Sequence, residues 1–110
     1  MPDKPDPQHN ALISGDEAEA LYASDLPVTI ADIRTPDEYA KEHIAPAISL
    51  PVNTIEETAP TALPDKNAYI ILYSGHGRRS AEAAEKLDTM GYTRLRNLGA
   101  ITNWTGLTLP

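Results

Sequence analysis

From residue 11 onward, short apolar runs alternate with amphipathic stretches, a pattern that predicts strands separated by helices. Ala11-Leu12-Ile13 reads as a first short strand. Ser14-Gly15-Asp16-Glu17 is a capping box, in which the Ser14 hydroxyl accepts the Glu17 amide and Glu17 reaches back, so a helix is expected to about Tyr22. Val28 to Ile33 gives the second strand. Thr35-Pro36-Asp37-Glu38 is another capping box, with proline at the first helical position, where its missing N–H costs nothing; that helix should run to about Glu42. Ala47 to Leu50 is a third strand, stopped by Pro51. Thr54 to Glu57 opens a brief helix, and residues 58–67, with Pro60 and Pro64, read as a loop.

The fourth strand, Ala68 to Tyr73, is almost continuously apolar, which places it inside a sheet covered on both faces. Arg79 to Met90 is helical by the spacing of Ala81, Ala84 and Leu87 and of Ala83 and Leu87, and Gly91 suits the left-handed position just past its end. Arg94 to Leu98 is a fifth strand, followed by a short turn or helix around Ile101 to Trp104.

Strands alternating with helices define an α/β fold, an open, mainly parallel five-stranded sheet with helices on both faces. A chain of 110 residues is one domain by default. Residues 1–10, with three prolines and mostly polar neighbours, are expected to be a disordered tail, and residues 11–110 the domain. In such sheets ligands sit beyond the carboxyl ends of the strands. Ser74 ends the most buried strand, and Asp32 and Arg34 end the second, so these groups are expected at one rim.

Charge narrows the partners. The net charge of -7 argues against generic binding to nucleic acid or to anionic membranes. It is uneven: residues 1–58 sum to -9 and residues 59–110 to +2, so an anion site is less opposed in the second half. No apolar run approaches the length needed to span a bilayer. The first residues, Met1 to Pro7, lack the apolar centre of a signal peptide, which gives a cytoplasmic expectation; a periplasmic one stays open if a leader was removed. There is no cysteine, hence no disulfide, and the three scattered histidines lack metal-ligand spacing. Neither a metal nor an organic cofactor is expected.

The chemistry concentrates in Ser74-Gly75-His76-Gly77-Arg78-Arg79-Ser80. Two glycines let the backbone curl so that successive N–H groups converge. The helix that follows adds the positive end of its dipole, and Arg78 and Arg79 add forked donors. The result is an anion cradle with residue 74 as its first member. A thiolate there would be strongly stabilised; a serine hydroxyl is too weak an acid to ionise in such a field and needs a contacting base, for which His76 and His43 are the candidates. The surroundings match neither a Gly-x-Ser-x-Gly elbow nor a phosphate-binding Walker loop.

Four segments together resemble the rhodanese-like family. Asp32-Ile33-Arg34-Thr35-Pro36-Asp37-Glu38-Tyr39 resembles its Asp-aliphatic-Arg-x-x-x-Glu-aromatic segment. His43-Ile44 with Ala47-Ile48-Ser49-Leu50-Pro51 resembles the stretch after it. Tyr73 to Ser80 resembles the active-site loop Tyr-Cys-x-x-Gly-x-Arg-Ser. Leu98-Gly99-Ala100-Ile101, Trp104 and Gly106-Leu107 resemble the closing segment, one residue shorter between Trp and Gly. Glu42 and Ala45-Pro46 depart from the family's usual turn residues.

The resemblance implies sulfur transfer: a loop cysteine takes sulfane sulfur from a small anionic donor such as thiosulfate, holds it as a persulfide and passes it to cyanide or to a small or protein thiol. It implies residue 74 as the sulfur acceptor and Gly75, His76, Gly77, Arg78, Arg79 and Ser80 as the anion and persulfide cradle, with Asp32, Arg34 and Trp104 in support. The six-residue loop from Ser74 to Arg79 has the sulfur-handling length rather than the longer one of related phosphatases and arsenate reductases. Ser74 occupies the cysteine position, so this chain cannot form a persulfide there; it reads either as a replaced cysteine or as a natural non-catalytic member that binds an anion or a partner. Asp32 and Arg34 read as a rim ion pair or as substrate contacts, His43 as a hydrogen-bonded structural residue or a base, and Trp104 as core or pocket wall or as a binding platform.

Overall fold

The computed structural model describes residues 5–110. In chain order its elements are β1 (Ala11–Leu12), α1 (Gly15–Ala23), β2 (Val28–Asp32), α2 (Pro36–Lys41), β3 (His43–Ile44), β4 (Ile48–Ser49), α3 (Ile55–Ala62), β5 (Tyr69–Ser74), α4 (Arg78–Thr89), β6 (Leu95–Ala100) and β7 (Thr108–Leu109). Five strands form one parallel sheet in the order β1-β6-β5-β2-β4, the α/β architecture expected from the alternation. β3 and β7 add a small antiparallel pair that no local pattern announces.

Both capping boxes form: Ser14 and Glu17 close the start of α1, and Thr35 and Glu38 close the start of α2. Each satisfies two amides that a helix N-terminus otherwise leaves bare. α3 differs from expectation. It runs through Pro60, where residues 58–67 read as a loop. Pro60 is on the exposed side, while Ile55 and Ala59 are buried, so packing of the inner side outweighs one lost backbone bond.

Strand alternation splits the core into two layers. Ile70 and Leu72 of β5 pack with Ala31, Ile33 and Leu95 against α3 and α4, through Ile55, Ala59, Ala83 and Leu87. Ile71 and Tyr73 point the other way, with Ile30 and Leu98, toward Ala18 of α1 and Tyr39 of α2. Helices thus cover both faces. The buried side of α4 is Ser80, Ala83, Ala84 and Leu87; Ala81, which the spacing puts in the stripe, is exposed.

Within the stretch expected to be a disordered tail, Asp6 and His9 make contacts with β6 and α4; residues 1–4 lie outside the described residues. Arg96 donates to both Asp6 carboxylate oxygens, at 2.5 and 3.1 Å, and the pair is almost fully buried. His9 Nδ1 accepts the Leu95 amide at 3.1 Å while Nε2 donates to Asp88 at 2.6 Å. Charge pairing with β6 and α4 ties this proline-rich segment down despite its polar composition.

Candidate functional site

The rim is built by register. Asp32 pairs with Tyr73 across β2 and β5, and Ser74 pairs with Ala100 across β5 and β6, so the ends of three strands meet. Between Leu72 and Tyr73 the ladder slips: Leu72 faces Asn97, but Tyr73 faces Gly99. This bulge, held by the Gly99 amide on Asn97 Oδ1 at 2.8 Å and by Asn103 Nδ2 on the Leu98 carbonyl at 2.8 Å, sets Gly99 against the loop. A Cβ on Gly77 would lie 3.6 Å from the Gly99 Cα.

β5 ends at Ser74, and the backbone turns through residues 75–77 into α4. Gly77 makes the turn with φ +88°. Its amide donates to Ser74 Oγ at 2.8 Å, and its carbonyl accepts the Ser80 hydroxyl at 2.8 Å. Ser74 and Ser80 therefore bracket Gly77 from both sides. Gly75 is not in the left-handed region, so of the two loop glycines only Gly77 meets the expected conformational need.

Ser74 itself has no exposed surface and closes the floor of a cleft of about 530 Å³ whose walls are His76, Arg78 and Arg79. His76 and Arg78 are exposed, Arg79 half-buried. No ion pair involves Arg78 among the described residues, so its charge is available. Arg79 differs: its Nη1 and Nη2 donate to the two carboxylate oxygens of Glu38 at 2.7 and 3.0 Å. The hydrogen bonds from Arg79 pull the Glu38 carboxyl down to about 2, and the same contact holds the Arg79 guanidinium more firmly protonated. Arg79 is also the wall between this cleft and a second one of about 270 Å³, which Arg34, Pro36, Val52 and Asn53 help line.

Behind the loop lies a buried polar network. Arg34 Nε and Nη2 donate to Asp32 at 3.0 and 2.6 Å, and Nη2 also donates to the Glu42 carbonyl at 2.5 Å. The Tyr73 hydroxyl donates to Asp32 Oδ2 at 2.7 Å and accepts the Ile44 amide at 3.1 Å. Burial, and then the bond to Asp32, push the Tyr73 hydroxyl well above its usual pKa, so it remains a neutral donor. The hydrogen bond to Asp32 likewise raises the Arg34 guanidinium. Asp32 is fully buried and Arg34 nearly so, and both are consumed by each other. Of the two roles open to them, the geometry is that of an internal ion pair bracing the rim.

His43 donates from Nδ1 to the Tyr39 carbonyl at 2.8 Å and stacks on the Tyr39 ring at 3.8 Å, a structural placement away from Ser74. Trp104 packs against the core layer of Ile44 and Tyr73 and donates from Nε1 to the Leu107 carbonyl at 3.3 Å; it does not line the cleft. Glu38 and Gly99 also reach this region, Glu38 through Arg79 and Gly99 against Gly77. The sequence shows Glu38 as a cap and as the glutamate of the family-like segment, and Gly99 as part of the closing segment, with no sign of these contacts. Among the described residues, no cluster of His, Asp and Glu could hold a metal, and no helix is long and apolar enough to cross a membrane.

The cleft opens where β5 ends and α4 begins, the carboxyl-end position at which open parallel α/β sheets carry their sites. The rhodanese-like domain model matches residues 14–107, and the chain belongs to that family, the rhodanese-like sulfurtransferases. It is 41% identical over 80 residues to the thiosulfate sulfurtransferase PspE of Escherichia coli, covering 69% of this chain and 77% of that protein. It is 33% identical over 78 residues to the thiosulfate sulfurtransferase GlpE of Coxiella burnetii, covering 70% of this chain and 71% of that one. Among solved structures, a rhodanese with anions from E. coli superposes with a TM-score of 0.71 at 35% identity, covering 74% of this chain and 96% of the other.

Proposed function

We propose that this chain is an anion receptor on a sulfurtransferase scaffold: residues 75–80 bind a small sulfur oxyanion of the thiosulfate type, and Ser74 leaves it without a sulfur-carrying thiol. One observation carries the reading. Ser74 Oγ, at the cysteine position of the family, accepts the Gly77 amide at 2.8 Å, so the loop is already curled around residue 74 in a chain with no cysteine. Persulfide formation requires a thiolate to attack the sulfane sulfur and expel sulfite. Among the described residues the Ser74 hydroxyl is hydrogen-bonded to the Gly77 amide and to no imidazole or carboxylate, while His43 is engaged with Tyr39, so no base is in place to activate it.

The test is a pair of measurements. Titration calorimetry should register thiosulfate or sulfate binding to the serine form, weakened by Arg78→Ala and by added salt, while thiosulfate:cyanide turnover stays at background. Turnover by the serine form, or binding indifferent to Arg78, would overturn the reading.

A second reading follows from the relatives named as thiosulfate sulfurtransferases. Here the rest of the site is complete, and Ser74→Cys creates the activity. The thiolate introduced by that substitution takes the outer sulfur from thiosulfate and releases sulfite; cyanide, or a small or protein thiol, then removes that sulfur and regenerates the thiolate. The larger sulfur on its longer bond would project further into the cleft than the hydroxyl. A Ser74→Cys protein that neither turns over thiosulfate nor alkylates at depressed pH would eliminate this reading.

A further inference from the structure

We propose that Glu38 is a specificity-setting positioning residue: it holds the Arg79 guanidinium as a brace for the loop, and so limits the positive charge offered to an incoming oxyanion. The inference rests on the reading of residues 75–80 as an anion site and concerns which anions that site prefers.

The two loop arginines are adjacent in sequence but differ in state. Arg78 is exposed with its charge uncompensated among the described residues. Arg79 spends both terminal nitrogens on Glu38 in a forked pair at 2.7 and 3.0 Å. Two parallel charge-assisted bonds fix the orientation of the guanidinium as well as its position. The acceptor is itself immobilised: Glu38 Oε1 also receives the Thr35 amide at 3.1 Å and the Thr35 hydroxyl at 3.1 Å. Holding Glu38 in place therefore serves the start of α2 and the pair at once, and little additional side-chain freedom is lost in forming the fork.

Arg79 is also well placed to brace. Its Nη2 lies 3.7 Å from where a Gly75 Cβ would stand, so the guanidinium sits beside Gly75, the residue that follows Ser74 in the loop. The same side chain walls the cleft above Ser74. Arg79 thus contacts the loop while its charge is cancelled from behind, and the cradle presents one effective guanidinium plus backbone amides. Such a site suits a divalent tetrahedral anion such as thiosulfate. A more highly charged oxyanion such as pyrophosphate meets the Glu38 carboxylate without a free second arginine to offset it.

Glu38→Gln tests this, because glutamine at the third helical position keeps the cap while removing the charge. Thiosulfate and pyrophosphate are titrated separately against the intact chain at fixed ionic strength, followed by loop amide shifts in NMR. The expected result is roughly five- to tenfold tighter thiosulfate binding, a larger gain for pyrophosphate and a steeper salt dependence. Adding Arg79→Gln to Glu38→Gln should abolish that gain. Unchanged or weaker thiosulfate binding by Glu38→Gln overturns the proposal, as does a gain that survives in the double variant. If the starting protein binds thiosulfate in an Arg78-dependent way, such a failure leaves the anion site standing; if it binds no thiosulfate, both fall.

Discussion

The Tyr73 hydroxyl donates to Asp32 Oδ2 at 2.7 Å between residues that are register partners on neighbouring parallel strands. Tyr73 is the last residue before Ser74, so this bond fixes the strand end from which the loop departs. The same hydroxyl oxygen accepts the Ile44 amide at 3.1 Å, which ties β3 to the rim. Tyr73→Phe removes both partnerships and strands a buried amide. A loss of about 1–3 kcal/mol is expected from the urea midpoint at unchanged m-value. A midpoint equal to that of the parent would show that the hydroxyl is not holding these strands.

Arg34 carries the larger stake. Its partner Asp32 has no exposed side-chain surface, and Arg34 has 9%. Removing the cation leaves a buried carboxylate with only the Tyr73 hydroxyl and the backbone amide of residue 34 as donors. Arg34→Leu should therefore cost about 3–5 kcal/mol, a large share of the stability of a domain this size. If Arg34 were instead a ligand for the anion, the substitution would abolish binding in a protein of nearly unchanged stability. Thermal melts paired with thiosulfate titration separate the two outcomes.

The two loop glycines should respond differently to the same substitution. Gly77 has φ +88°, so alanine is strained there regardless of space, by about 1–2 kcal/mol, and the amide that bonds Ser74 is displaced. Gly75 has no positive φ, and its added Cβ would meet only Arg79 Nη2 at an ordinary 3.7 Å. Gly75→Ala is expected to keep the parent's stability to within about 0.5 kcal/mol. Gly77→Ala should lose both stability and anion affinity. Equal effects at the two positions, by melts and NMR titration, would show that the turn does not depend on Gly77 as described.

What the sequence discloses divides along the range of the interactions. The five sheet strands, both capping boxes and Gly91 past α4, with φ +98°, are local and legible. Pro60 in α3 misleads, because the propensity of one residue carries no information about the burial of Ile55 and Ala59. The site is legible as a loop and a rim, since both follow from strand ends. Its internal state is not. Glu38 reaches Arg79 across 41 residues, Tyr73 reaches Asp32 across another 41, and Arg96 reaches Asp6 across 90. Tyr73 is legible as core by its period, but nothing in a period of two says that its hydroxyl meets a carboxylate. The loop pattern sets Arg79 at its arginine and Arg78 at a variable position, but it does not say that Arg79 is paired, because the partner Glu38 lies 41 residues away.

The Glu38–Arg79 pair predicts a pH dependence with a definite sign. The Glu38 carboxyl is lowered from 4.5 to about 2, chiefly by its hydrogen bonds from Arg79. A carboxyl lowered on folding contributes stability fully above its ordinary value, and that contribution disappears as pH falls toward the folded value. Stability owed to this pair should therefore be intact at neutral pH and decline between about 4.5 and about 2. Both side chains keep about a third of their surface exposed, 37% for Glu38 and 33% for Arg79, so solvent screens the contact. A contribution of about 0.2–1 kcal/mol is appropriate for such a pair, smaller in high salt. Comparison with Glu38→Gln isolates it, because the cap is kept and the other acidic groups titrate alike in both proteins. The difference in urea midpoint should shrink as pH drops through this window, and should shrink at neutral pH when salt is added. A difference that persists at about pH 2 would mean that the glutamate stabilises α2 as a cap alone and that its charge does not hold Arg79.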